Sequence, residues 1–292
     1  MAQTTVTPLS RIAVAALALA LVAPAAFAQE PPKTPEPARP QKLAEWPKLA
    51  DADKDRLLAQ VGQFRKADAK LHEVAHQQLV AIGEAGMPLL FQQVSDQPQN
   101  VNAQLFSVFD EILKPQHAAL MARESKKNRV ELRRYLLRRM CRFVDPELLP
   151  VLKSMQQDKD AETAFFGSLG ALACKQREAL PAVIAYCKTH WQEMGPIVAD
   201  VLPAARSNET GSWVFEAIVK ASVPDQMTGL RLARYLAVKE HSIILRTYLQ
   251  APDHTVKREA INTLRVLNGE EPIENLSVFQ AIEMAKEWLK KA

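Results

Sequence analysis

The sequence predicts an all-α protein assembled from a repeated two-helix unit, and three observations lead there. Composition is the first. Ala, Leu, Arg, Lys, Glu and Gln dominate the 292 residues, and these favour helix. Nine Gly against nineteen Pro, with only 6% aromatics, speak against a strand-rich chain full of glycine turns. The second is a legible helix–turn–helix stretch from His72 to Val94, HEVAHQQLVAIGEAGMPLLFQQV. Its turn falls at Gly83–Gly86, and Pro88 is expected at the first helical position, where its missing N–H would have no partner anyway. The third is periodicity. Stepping by 31 from Pro88 gives Ala119, Pro150, Pro181, Ser212, Ile243 and Glu274. Two positions after each anchor stand Leu90, Met121, Leu152, Val183, Val214, Leu245 and Leu276. Ten positions before stand Gln78, Phe109, Met140, Ala171, Leu202, Ala233 and Leu264, and seven before stand Ala81, Ile112, Phe143, Cys174, Ala205, Leu236 and Leu267. Apolar columns at one fixed period mark units that bury their faces against their neighbours.

In chain order, residues 1–28 are expected to be a signal peptide. Arg11 supplies the positive region, Ile12 to Val22 the apolar run, and Ala26-Phe27-Ala28 the cleavage pattern before Gln29. The run is too short to span a bilayer comfortably, and Pro24 interrupts it. This implies export to a periplasmic or extracellular compartment, and no integral membrane protein after cleavage. Residues 29–44 form a Pro-rich, solvated linker. The repeat domain then covers 45–292. It opens on a helix through Leu57, Leu58, Val61 and Phe64, for which Asp51 or Asp53 can act as the cap. At its end the turn Asn268-Gly269-Glu270-Glu271-Pro272 and a Lys-rich tail suit a solubilising cap.

The T-P-L-H signature of ankyrin repeats is absent, and the tetratricopeptide pattern does not recur. The units EVAHQQLVAIGEAGMPLLFQQVSD, RRYLLRRMCRFVDPELLPVLKSMQQD and FFGSLGALACKQREALPAVIAYC resemble short HEAT-like repeats of the phycobilisome-lyase type. The resemblance runs from about Trp46 to Ala292. It implies a right-handed α-solenoid of about six or seven two-helix repeats.

One motif suggests chemistry. His72-Glu73-Val74-Ala75-His76 is a formal H-E-x-x-H, and residues four apart on a helix share a face, so two imidazoles can hold zinc while Glu activates water. Its flanks, Lys70 and Gln77-Gln78, are polar where zincins are apolar. A third ligand would have to come from Glu45, Asp110 or Glu111. With Val74, Ala75 and Ile82 turned to the core, the two histidines are expected on an open outer layer with no walled cleft. In the resemblance there is a second source for such a pair. The iron-dependent deoxyhypusine hydroxylases, which are HEAT-like, take metal ligands from His-Glu pairs in several repeats. Here the equivalent positions hold Ala103-Gln104, Arg134-Tyr135, Phe165-Phe166, Pro196-Ile197, Met227-Thr228 and Arg258-Glu259. A di-iron site of that kind cannot be assembled, and no cofactor is expected.

The second constellation is basic. Lys126, Lys127, Arg129 and Arg133 lead into Arg134, Arg138 and Arg142, one turn apart, with Arg139 beside them. Leu136, Leu137, Met140 and Phe143 define the buried side, so the stripe is expected to face water. Like charges at that spacing repel mildly, which directs attention to a partner: Arg134, Arg138, Arg139 and Arg142 form the expected contact for a protein or other anionic ligand. Cleavage leaves a net charge of +3, too mild for a general nucleic-acid binder, and no aromatics interleave with the arginines. Of the three cysteines, Cys141 is expected to point partly outward, and no structural disulfide is expected. The function these features favour is a non-catalytic exported scaffold; the alternative is a metal-dependent enzyme built on His72-Glu73-x-x-His76.

Overall fold

A computed structural model describes residues 42–94, 99–127 and 129–291, and among them every regular element is a helix. The expected signal peptide lies outside the described residues, as does the linker before Lys42. None of the described helices is long and apolar enough to cross a membrane.

The hairpin first seen in sequence sets the pattern. The Asp68 carboxylate accepts from the amides of Lys70 and Leu71 and starts α2 (Ala69–Ile82). Gly83, at φ 68°, ends it. A 3₁₀ turn (Gly83–Gly86) leads into α3 (Met87–Gln93), where Pro88 sits at the second helical position rather than the first, still within the turn whose amides lack partners. The same order of helix, 3₁₀ turn and second helix recurs. α4 (Gln99–Ile112) is followed by α5 (Ala118–Glu124), α6 (Val130–Cys141) by α7 (Leu149–Met155), and α8 (Ala161–Ala173) by α9 (Leu180–Val201). Then come α10 (Asn208–Ile218), α11 (Val223–Leu236), α12 (Ser242–Leu249), α13 (His254–Leu267) and α14 (Val278–Lys291). α4, α6, α8, α11 and α13 start at residues 99, 130, 161, 223 and 254, one 31-residue step apart or, across α9, two.

The columns explain the packing. Leu90, Met121, Leu152, Val183, Val214, Leu245 and Leu276 are all buried. So are Phe109, Met140, Ala171, Leu202, Ala233 and Leu264, whereas Gln78, the polar exception, is half-buried. First helices meet across hairpins, α2 with α4, α6 with α8 and α11 with α13, and α9, which follows α8 as a second helix and then runs on, packs against α11. α8 is apolar on every side and is enclosed by α6, α7, α9 and the 3₁₀ turn Leu202–Ala205.

Four departures from the expected pattern have local causes. At the N-terminus, Ala50 rather than an aspartate precedes α1 (Asp51–Gln63), and the Asp51 carboxylate pairs with Lys54 instead of capping. The preceding residues 42–50 form a strap. Lys42 pairs with Asp145 and Glu147, the Leu43 amide donates to Gln116 O, Arg123 donates to Ala44 O, and Trp46 stacks on the buried His117. In α9 no loop separates two hairpins. His190 leaves helical geometry (φ −120°, ψ 25°) and stacks on Tyr186 at 4.3 Å, so the helix kinks and runs on. At the C-terminus the loop after α13 doubles back, because Asn262 bonds both the amide and the carbonyl of Ile273. Finally, Val74 is exposed at 48%, against the expectation; Ala75 and Leu79 are the core positions of α2.

The cysteines are free. Cys141 is buried rather than partly outward, and its thiol donates to Phe166 O at 2.9 Å. Burial pushes the thiols of Cys141 and Cys187 up to about 12 and that of Cys174 to about 11. Thiolate is the reactive form, so iodoacetamide at pH 8 should label half-buried Cys174 first and the other two only after denaturation. Equal labelling of all three in the native protein, read by mass spectrometry, would contradict this burial.

Candidate functional site

α2 and α4 together form an open groove of about 680 Å³. Helical spacing puts His72, Glu73, His76, Gln77 and Val80 on one face of α2, and α4 answers with Gln104 and Glu111. The surface is a depression open to solvent. The H-E-x-x-H residues do not converge within it. His72 donates from Nε2 to Lys66 O at 2.6 Å and lies edge-on to Phe64. His76 Nε2 instead faces Glu111 Oε1 at 3.5 Å. Of the other third-ligand candidates, Glu45 is exposed on the strap, and Asp110 accepts from Tyr135 Oη at 2.9 Å. Among the described residues no three His, Cys, Asp or Glu side chains converge on a point that could hold a metal ion. The groove is chemically a polar recognition surface: two imidazoles, two carboxylates and two amides over a floor of Ala69 and Val80.

The arginine stripe starts from α6, next along the same side. Of its four arginines, Arg138 alone is exposed and takes part in no ion pair among the described residues. Arg134 forks onto Asp160, through Nε at 2.8 Å and Nη2 at 2.5 Å, and lies 3.4 Å from Glu162. Arg139 donates to Asp110 O and Leu113 O, the carbonyls that end α4, and pairs with the Asp110 carboxylate at 3.4 Å. Arg142 pairs with Asp200 of α9 at 2.5 Å. Arg133 is paired with Asp158 at 2.9 Å, both largely buried. The expectation that the stripe faces water is thus corrected for three of its four residues. They bind helix to helix within the chain.

The same device recurs further on. Arg231 and Arg234 of α11 both reach Glu259 of α13, and Arg206 donates to the Arg234 and Tyr235 carbonyls at the end of α11. With His76–Glu111, Arg139–Asp110, Arg134–Asp160 and these, a polar ladder joins successive first helices. Of the acidic rungs, Asp110 is named from sequence only as a possible metal ligand and Glu259 only as an equivalent of the His-Glu pair, while Asp158 and Asp160 are not singled out. The signal that could have found three of them is an acid 25 or 26 residues after an arginine, five or six short of one repeat.

The Arg134 guanidinium, with Thr163 assisting, holds the Asp160 carboxyl well below the usual carboxylate range. A depressed folded value means that this contribution is complete above the unfolded value of about 4 and is lost as pH falls below it. Wild type should therefore melt several degrees above Asp160→Asn at pH 6, and the gap should narrow steadily as pH drops from 4 to 2. A gap that stays constant over that range would dissociate the pair from stability.

No protein-family model, curated protein or solved structure matches the chain.

Proposed function

We propose that this protein is an exported, non-catalytic scaffold whose hairpins stack as a right-handed α-solenoid of HEAT-like repeats and hold a protein partner on the first-helix side. The observation that carries this reading is the α2–α4 groove: an open polar concavity made by equivalent helices of adjacent hairpins, with the histidine motif spread along it instead of gathered at one point. The 31-residue spacing of helix starts supports the stacked arrangement, since units of this kind bury their faces only against neighbours. Arg138, which forms no ion pair among the described residues, is the stripe cation offered to an acidic group of the partner. Its contact is worth a few tenths to about 1 kcal/mol, so the groove carries most of the specificity.

The test uses the chain from Gln29 as bait in an envelope fraction, with a photo-crosslinking residue at Gln77. One defined partner should be captured, and Gln104→Arg combined with Arg138→Glu should reduce capture about tenfold or more without lowering the melting temperature. Undiminished capture by that variant would exclude this side of the molecule. One zinc per chain retained after dialysis and lost in His76→Ala would favour the metal-dependent enzyme instead. Export is checked by fractionation and by an N-terminus at Gln29 in the mature protein.

A further inference from the structure

The C-terminal departure from the repeat leaves a small cavity between α12, α13 and α14, of about 150 Å³. Lys239, Ser242, Arg246 and Leu249 line it at spacings of 3, 4 and 3, which is a single stripe of the 3₁₀ turn and α12. Leu264 and Asn268 come from the end of α13, and Trp288 of α14 forms a further wall. Here the doubled-back loop held at Asn262–Ile273 brings Trp288, not an aliphatic, against α12 and α13.

Its charge is the second observation. Arg206, Arg231, Arg234 and Arg265 of the same C-terminal region are each bound to a carboxylate or carbonyl of this chain. Lys239 and half-buried Arg246, by contrast, take part in no ion pair among the described residues, and both border the cavity. Two uncompensated cations beside two leucines and an indole define an amphiphilic anion site. Arg presents a planar fork that matches a carboxylate, and a cavity near 150 Å³ holds a body about the size of benzene.

We infer that this cavity binds an organic carboxylate with a small apolar body, its anion on Lys239 and Arg246 and its apolar part between Leu249, Leu264 and Trp288. The carboxylate can belong to a free acid or to the C-terminus of a peptide ending in an apolar residue.

The probe is benzoate, titrated into the mature chain by calorimetry and ligand-observed NMR, with benzyl alcohol as its uncharged counterpart. Saturable binding on the order of 1 mM or tighter is expected, with at least about a tenfold preference over the alcohol. Lys239→Gln with Arg246→Gln should abolish that preference while benzyl alcohol binding stays as in wild type. Leu264→Phe, which fills the cavity, should block both probes. N-acetyl-Gly-Leu and its C-terminal amide separate the two sources: an acid bound more tightly than benzoate, with a weak amide, assigns the site to chain ends. Absence of saturation by on the order of 10 mM benzoate, or equal binding of acid and alcohol by wild type, would overturn the proposal whether or not the variants fold.

Discussion

Glu259→Ala should destabilise the protein by about 3–5 kcal/mol, the loss found when one partner of a buried charge pair is removed. Among the described residues Glu259 is the one carboxylate paired with the two guanidiniums of Arg231 and Arg234. Its side chain is 13% exposed and that of Arg234 is 11% exposed. Burial already pulls the Arg234 guanidinium below its ordinary range, against the carboxylate that supports it. Without Glu259, two like charges would face each other in a largely buried space; Arg231 has the Trp191 ring, 5.3 Å away, as its other neighbour. Glu259→Gln should be milder, because it keeps an acceptor. Adding Arg234→Met to Glu259→Ala should recover much of the loss, since a packed apolar group removes the stranded charge. Urea unfolding followed by circular dichroism reads all three. A loss under about 1 kcal/mol for Glu259→Ala would put the pair in the class of exposed salt bridges.

Gly167→Ala is the second large effect, and there two contributions oppose each other. Alanine is the better helix former by roughly 1 kcal/mol. A methyl at Gly167, however, would lie 2.8 Å from Leu152 O and 3.0 Å from Gln156 N and Met155 C, all backbone atoms of α7 and its C-terminal end. Backbone cannot rotate away as a side chain can, so α7 and α8 must separate. Overpacking of this kind costs about 1–3 kcal/mol and occasionally more. Steric cost should win, with a net loss of about 2 kcal/mol. Gly62 of α1 is the control: nothing lies within 4 Å of its added methyl, so Gly62→Ala should stabilise slightly. Should Gly167→Ala melt at or above wild type, the close approach of α7 to α8 would be refuted.

What the sequence could disclose follows the range of each interaction. Burial of Leu90 and its equivalents is a one-dimensional pattern, repeated seven times, and is therefore legible. The Gly83 turn is legible because a short stretch of Gly and Pro determines it. The role of the arginines was not. Helical spacing gives the face on which Arg134 lies, but not that Asp160, 26 residues on, is brought beneath it. A row of cations looks the same whether it awaits a partner or already has one. The groove eluded sequence for a related reason. His72 and His76 share a face of α2 as periodicity requires, yet their concavity is created by α4. The kink at His190 depended on one residue leaving the helical region, with no Gly at that point to announce it.

The Arg142–Asp200 pair differs from the other rungs in reaching past α8 to α9. Contacts elsewhere on the first-helix side join neighbours, so the C-terminal end can peel away without disturbing the rest, whereas the N-terminal end is tied by its strap to Gln116, Arg123, Asp145 and Glu147. Around α8 no such peeling is open: the helix is enclosed, and its two flanks are fastened to each other. Amide hydrogen exchange should therefore be slowest in α8 and quicken most toward α14, and a protease should trim the chain from its C-terminal end and stop at a resistant fragment that retains α6 to α9.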